Sequence, residues 1–454
     1  MRILRKTNLI ASSIAVLMFV ACINGTPGST GNSSVSRSSS SNSTTSKSTN
    51  DSQQQAIDNS TGMSPTIPKP IVNVYLETSG SMNGYVNGGT SIFQQVVKEY
   101  LSGINNANFA STVNYYYINS QIIPKGSDLS SYISNLTPQS FASQGNTATT
   151  DIGGLFKKIM EATDNNTISI FISDCIISPG RSNDPATYAR GQMTDVRDAI
   201  VGYINKYQDL ACLVYQFDSN FRGTYYDYLN TPHRNIDMQR PFYIWVFGHT
   251  LHVASLKLGY VPDSDFKIAP IRNQWIIFNT PLAELQDENK YGILLSTGAN
   301  NGRYVRKSAT TVSNVQPFNN YYRFSFGAQL KVAQALMGDE YVCDVDNYKV
   351  IINKERAEKF YGSIEKNLAA TSPYTHIFRV DSDTKFSRGT TFNMAFLPMI
   401  PKWAYSISDN DDRTFYGEND NKTYGIINIF NGVYSGFNNG IHNNIIAKFD
   451  FEIK

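Results

Sequence analysis

Glu77, Ser79 and Ser81 stand at alternate positions where an apolar run at 71–76 (IVNVYL) gives way to the polar loop Glu77-Thr78-Ser79-Gly80-Ser81. β-Branched and aromatic residues dominate the run, and its prolines fall only at the entry, so a strand is predicted there. In an extended loop, period-two spacing aims one carboxylate and two hydroxyls the same way, and Gly80 relaxes the backbone between them. Such hard oxygens suit Mg²⁺, Mn²⁺ or Ca²⁺ and suit softer metals poorly. Ser-Gly-Ser after a strand also makes a plain turn, so the choice rests on whether further ligands converge.

Two more oxygen donors occur downstream. Thr150 lies in the polar segment 144–151 (QGNTATTD), which opens a helix whose Ile152, Leu155, Phe156, Ile159 and Met160 follow the i, i+3, i+4, i+7, i+8 pattern. Asp174 follows an apolar strand predicted at 168–172 (ISIFI). Around these, Ser91 and Gln94 have capping-box spacing and open a helix carrying Phe93, Val96, Val97, Tyr100, Leu101 and Ile104 on one face. Strands are predicted at 112–119, 210–217 and 242–247, and helices at 129–136, 193–207 and 251–258. Apolar strands alternating with amphipathic helices predict an α/β fold: a doubly wound, mostly parallel sheet covered on both faces. Ligands collect at the carboxyl ends of such strands, the edge from which Glu77, Ser79, Ser81 and Asp174 emerge.

This order of groups resembles a von Willebrand factor type A (vWA) domain over about residues 68–260. That family's metal-ion-dependent adhesion site reads Asp-x-Ser-x-Ser, then Thr, then Asp. The resemblance makes Ser79 and Ser81 its two serines, Thr150 its threonine and Asp174 its later aspartate. Glu77 departs from the pattern, standing where the family has Asp. The resemblance implies a Mg²⁺ site (or Mn²⁺ or Ca²⁺) formed by Glu77, Ser79, Ser81, Thr150 and Asp174, completed by an acidic side chain from a protein partner. Glu77 is long enough to supply that last ligand itself.

The 454-residue chain has 41% hydrophobic and 17% charged residues, so it has a core to bury. A net charge of +2 with no basic stripe gives no sign of nucleic acid as a partner. At the start, Arg2, Arg5 and Lys6 precede an apolar run ending in Phe-Val-Ala-Cys at Cys22. That pattern is a secretory signal, and it resembles a bacterial lipobox with Cys22 lipidated. Phe19 replaces the Leu usual three residues before that Cys. Residues 23–66 are Ser, Thr, Asn, Gly and Gln almost throughout, too polar to fold, and predict a tether holding residues 67–454 off a membrane of the cell envelope. Cys175, Cys212 and Cys343 make an odd count that argues against a disulfide framework. Cys175 and Cys212 are expected at opposite ends of the sheet, as buried thiols.

Residues 67–261 are thus expected to form the vWA-like domain and 262–454 an all-β, sandwich-like domain, since strand-like runs there alternate with Gly, Asn and Asp loops. Residues 424–430 read as one of those strands, and 328–337 fit a strand or a short helix. His249-x-x-His252 lacks a third ligand nearby, and residues 409–412 (DNDD) lack the Gly of a calcium loop and read as a solvated turn. Ser382-x-x-Lys385, Ser408-Asp409-Asn410 and Lys422-Thr423 imitate a penicillin-binding triplet but leave no room for the helical domain it needs. No catalytic constellation remains. The expected function is non-catalytic binding of a protein through the cation site. The alternatives are a metal-free structural module and glycan binding by the β domain.

Overall fold

Alternation along β1 (Ile71–Glu77) sends Val72, Val74 and Leu76 to one face of a sheet and Tyr75 to the other. Both faces are covered, so all four side chains are buried. The computed structural model describes residues 68–143, 151–180, 184–280, 290–296, 301–318, 320–354, 356–369, 371–414, 421–438 and 444–454. The signal segment with Cys22, the tether and Thr150 lie outside the described residues.

The first sheet has the order β3-β2-β1-β4-β6-β5-β7, formed by β1, β2 (Thr112–Ile118), β3 (Ile122–Pro124), β4 (Thr167–Ser173), β5 (Ala211–Tyr226), β6 (Pro232–Gly248) and β7 (Asn273–Phe278). β2 and β4 flank β1 in parallel, while β3, β6, β5 and β7 each join antiparallel. The expectation of a mostly parallel sheet is therefore corrected: three parallel strands form its centre and antiparallel strands extend it. The signal used was apolarity on both faces of a strand. That reports cover by helices on both sides, which antiparallel strands share when equally covered.

α1 (Asn83–Val86) follows the serine loop, and α2 (Ile92–Asn106) packs on the face of Val72 and Val74. The Ser91–Gln94 capping box is formed as predicted, its side chains satisfying two of the backbone donors left open at a helix start. α3 (Ile152–Glu161) and α4 (Pro185–Tyr207) cover the opposite face. A further helix, α5 (Ile426–Asn438), lies on α4 where a strand was expected at 424–430. Ile426, Ile429, Phe430, Val433 and Phe437 share its buried side at helical spacing, a period too long to see within the short run first considered.

The two helices approach closely through Gly432 and Gly436. A Cβ at Gly432 would lie 2.7 Å from Met193 O, and one at Gly436 2.6 Å from Ile200 Cβ. Gly432→Val is expected to destabilise the protein by about 1–3 kcal/mol through overpacking, read as a lowered urea midpoint at unchanged slope. An unchanged midpoint would mean that the helices separate at little cost.

The second sheet contains β8 (Tyr291–Ile293), β9 (Arg303–Arg306), β10 (Thr311–Phe318), β11 (Tyr321–Ala328), β12 (Tyr348–Ile352), β13 (Arg356–Lys359), β14 (Gly362–Lys366), β15 (His376–Ser382) and β16 (Thr390–Phe396). After the small pair β17 (Ser408–Asp409) and β18 (Thr423–Tyr424), β19 (Ala447–Ile453) completes it. β10 pairs with β19 at its start and β11 at its end, so the sheet curls and its halves face one another. Phe326 of β11 meets Phe451 of β19 with centroids 4.6 Å apart, and Phe378 of β15 meets Tyr348 of β12 at 5.4 Å. This is an aromatic core between layers, close to the sandwich expected.

The all-β expectation for 262–454 does not hold, because that stretch also forms α5 and Lys331–Met337, the latter after β11 ends at Ala328. Nor do the sheets divide at residue 261. β7 and α5 belong to the first sheet, and Trp275 Nε1 and Tyr341 OH both donate to Met399 O, at 3.0 and 2.6 Å. The described residues form one compact unit. Cys175, Cys212 and Cys343 are free thiols, the first two buried at opposite ends of the first sheet as expected. Among the described residues no helix is long and apolar enough to cross a membrane.

Candidate functional site

β1 ends at Glu77, and the chain does not stay extended beyond it. Met82 N donates to Ser79 O at 3.2 Å and Gly84 N to Ser81 O at 3.2 Å, so residues 79–82 turn directly into α1. The turn, rather than period-two extension, brings Ser79 Oγ within 3.0 Å of Ser81 Oγ. α1 is then pinned from above. A Cβ on Gly84 would lie 2.2 Å from the Phe221 ring, and Tyr85 OH donates to Pro241 O at 2.6 Å.

At the end of β4, the Ser173 hydroxyl donates to Glu77 Oε2 and accepts from Cys175 N at 2.7 Å. Cys175 takes φ +57°, which turns the chain sharply and leaves Asp174 facing the serine pair. Asp174 Oδ1 accepts from Ile176 N at 3.3 Å, while Oδ2 is buried with no hydrogen-bond partner. Burial raises the Asp174 carboxyl above its ordinary range, and the Ser81 hydroxyl, Ile176 N and the Arg240 charge draw it partly back. Glu77, Ser79, Ser81 and Asp174 thus converge at the carboxyl edge, 1, 6, 9 and 2% exposed. Thr150 lies outside the described residues. The next residue, Asp151, caps α3, accepting from Gly154 N and Gln192 Nε2, each at 3.0 Å.

Arg240 is the functional group that sequence reasoning missed. β5 and β6 run on past the sheet edge as a long hairpin, pairing Ser219 with Arg240 above Asp174. The Arg240 guanidinium is 1% exposed, lies over the Tyr225 ring at 4.6 Å and donates to Tyr225 OH at 3.3 Å. Tyr225 OH donates in turn to Asp412 Oδ2 at 2.5 Å, and Tyr228 N donates to Asp412 Oδ1 at 2.9 Å. Burial pushes Asp412 up to about 6. The solvated turn expected at 409–412 is thereby corrected, because Asp412 is buried while Asp411 faces outward against Arg413. Tyr243 OH and Thr423 Oγ1 lie 3.0 Å apart, and the Tyr228 and Tyr424 rings stack at 4.9 Å. Asp412, Thr423 and Tyr424 of the second half therefore cover a rim built by the first. The signal in the sequence was a lone Arg-Pro pair leading straight into the apolar run 242–247.

No protein-family model, curated protein or solved structure matches the chain.

Among the described residues no three His, Cys, Asp or Glu side chains cluster as a metal site. Hydroxyl ligands fall outside that count, and the serine pair has the spacing that a small divalent ion would require. Octahedral Mg–O bonds of about 2.1 Å set neighbouring ligands about 3 Å apart. Ser79 Oγ and Ser81 Oγ have that separation while hydrogen-bonded to one another, and Asp174 Oδ2 is a buried acceptor with no hydrogen-bond partner. Arg240 opposes this by supplying one positive charge beside Asp174. His249 and His252 play structural parts: His249 Nδ1 accepts from Leu251 N, and buried His252, lowered to about 4 by desolvation, meets Pro68 O at 3.1 Å.

Proposed function

We propose that this is a non-catalytic binding protein of a bacterial cell envelope, exported and lipid-anchored at Cys22. Its vWA-like domain holds a divalent cation for the acidic side chain of a partner protein. The observation that carries this is the Ser79–Ser81 hydroxyl pair beside an orphaned, buried Asp174 oxygen at the carboxyl edge of the parallel strands. Ser79, Ser81 and Asp174 would ligate Mg²⁺ or Mn²⁺, with Thr150 adding the hydroxyl that the resemblance assigns to it. Glu77, its carboxylate held by Ser173, would orient water on the ion. When bound, the ion offers a partner carboxylate an electrophilic site that neutral hydroxyls do not quench.

Titration calorimetry with Mg²⁺ and Mn²⁺ is expected to give saturable heat for the wild type and at least about tenfold weaker binding for Ser81→Ala. Equally silent traces would end the cation reading. A second reading has its own support: Arg240, buried beside Asp174, already supplies a fixed positive charge, as a metal-free structural module would require. Silent traces are its expected result.

A further inference from the structure

Away from that rim, two openings meet at one end of the curled sheet. The first is a cleft of about 640 Å³ between its halves, floored by Val350, Phe360 and Phe392. Tyr361 and Tyr321 line it while remaining 65 and 46% exposed. They flank the end of β15: Asp381 N donates to Tyr361 O at 2.9 Å, and Ser382 pairs with Tyr322 on the other side. The second is a groove of about 1150 Å³ lined by Lys307, Lys385, Arg388 and serine hydroxyls, with no Asp or Glu among its lining residues. Lys385, Phe386 and Ser387 line both. Lys307, Lys385 and Arg388 form no ion pair among the described residues, whereas Lys454 of the same groove pairs with Glu452.

We propose that this joined cleft binds an acidic oligosaccharide, its sugar rings stacked on Tyr361 and Tyr321 and its anionic groups paired with Lys307, Lys385 and Arg388. Large tyrosines left exposed at a concave rim bring apolar area at little entropic cost. The C–H face of a pyranose carries partial positive charge and matches the electron-rich face of the ring. Three cations that form no ion pair among the described residues, in a groove lined by no Asp or Glu, define an anion-selective wall. A single-stranded nucleic acid would also stack on aromatics and meet cations. The tyrosine end disfavours it, because Asp383 is exposed there with no ion pair among the described residues. That carboxylate repels a phosphate backbone yet accepts hydrogen bonds from sugar hydroxyls.

The test uses the full chain in EDTA, so that failure of the cation site cannot affect it. An array of uronate-, sialate- and phosphate-bearing oligosaccharides is probed beside neutral ones. Binding is expected on acidic glycans, with a loss of about tenfold in Tyr361→Ser and again in the double variant K307Q/R388Q. Both changes are at the surface, and circular dichroism confirms folding. The K307Q/R388Q loss should shrink in high salt while the Tyr361→Ser loss persists. A silent array, unchanged binding by both variants, or equal binding of a single-stranded oligonucleotide would overturn the proposal.

Discussion

Replacing Arg240 with methionine is expected to cost about 3–5 kcal/mol of stability at pH 7, the range for removing one partner of a buried charge pair. Methionine fills most of the volume and keeps contact with the Tyr225 ring, so packing loss is a minor part of the effect. What remains is Asp174, 2% exposed, with Oδ2 lacking a hydrogen-bond partner and its nearby positive charge gone. Tyr225 OH and Asp412 lose the same cation. The pH dependence identifies the cause. Asp174 already has a raised folded pKa, and removing Arg240 raises it further. A carboxyl raised on folding favours the native state at low pH, and that contribution is lost as pH rises. The deficit of the Met variant should therefore be largest at neutral pH and shrink on acidification as Asp174 takes up a proton. Urea unfolding of wild type and variant between pH 5 and 7.5 measures this. A deficit below about 1 kcal/mol, or one independent of pH, would show that Arg240 does not balance buried carboxylates.

The elements that position this site were legible where a signal is local. Ser91 and Gln94 cap α2 as their spacing predicts, and the apolar stripe of α3 fixed both its existence and its inward face. The grouping of Ser79, Ser81 and Asp174 at one edge was also legible, because alternating strands and helices place successive strand ends together. The reason given for the serine contact was wrong in detail: a tight turn, set by hydrogen bonds from Met82 N and Gly84 N, joins them. What stayed hidden depends on partners distant in the chain. Arg240 meets Tyr225 only because β5 and β6 overrun the sheet, and Asp412 is buried only because its own segment, 408–414, folds back on that hairpin. No window of adjacent residues carries either fact. α5 shows a related limit, since 424–430 alone fits strand or helix and only Val433 and Phe437 reveal the longer period.

Asp412 should make the wild type lose stability, relative to Asp412→Asn, as pH rises from 4 to 7. Its folded pKa is raised from 3.8 to about 6, first by burial, against which Tyr225, Tyr228 N and Arg240 pull downward. The native state therefore binds this proton more tightly than the unfolded chain. The resulting stabilisation is fully present below the unfolded value and is lost as pH climbs through about 6. A difference of about two pK units corresponds to about 3 kcal/mol across that window. Asparagine keeps an acceptor for Tyr228 N and does not titrate, so subtracting the variant's unfolding free energy from that of the wild type isolates the term. The difference should fall by about 2 kcal/mol in urea titrations from pH 4 to 7, mostly between 4 and 6, the rest of the full span having been lost below pH 4. A flat difference would place the titration elsewhere. The same subtraction in an Arg240→Met background tests the network, because removing the guanidinium removes one of the influences lowering Asp412. The fall should then extend to higher pH. An unshifted midpoint would separate Asp412 from Arg240 and leave Tyr225 as their shared neighbour only.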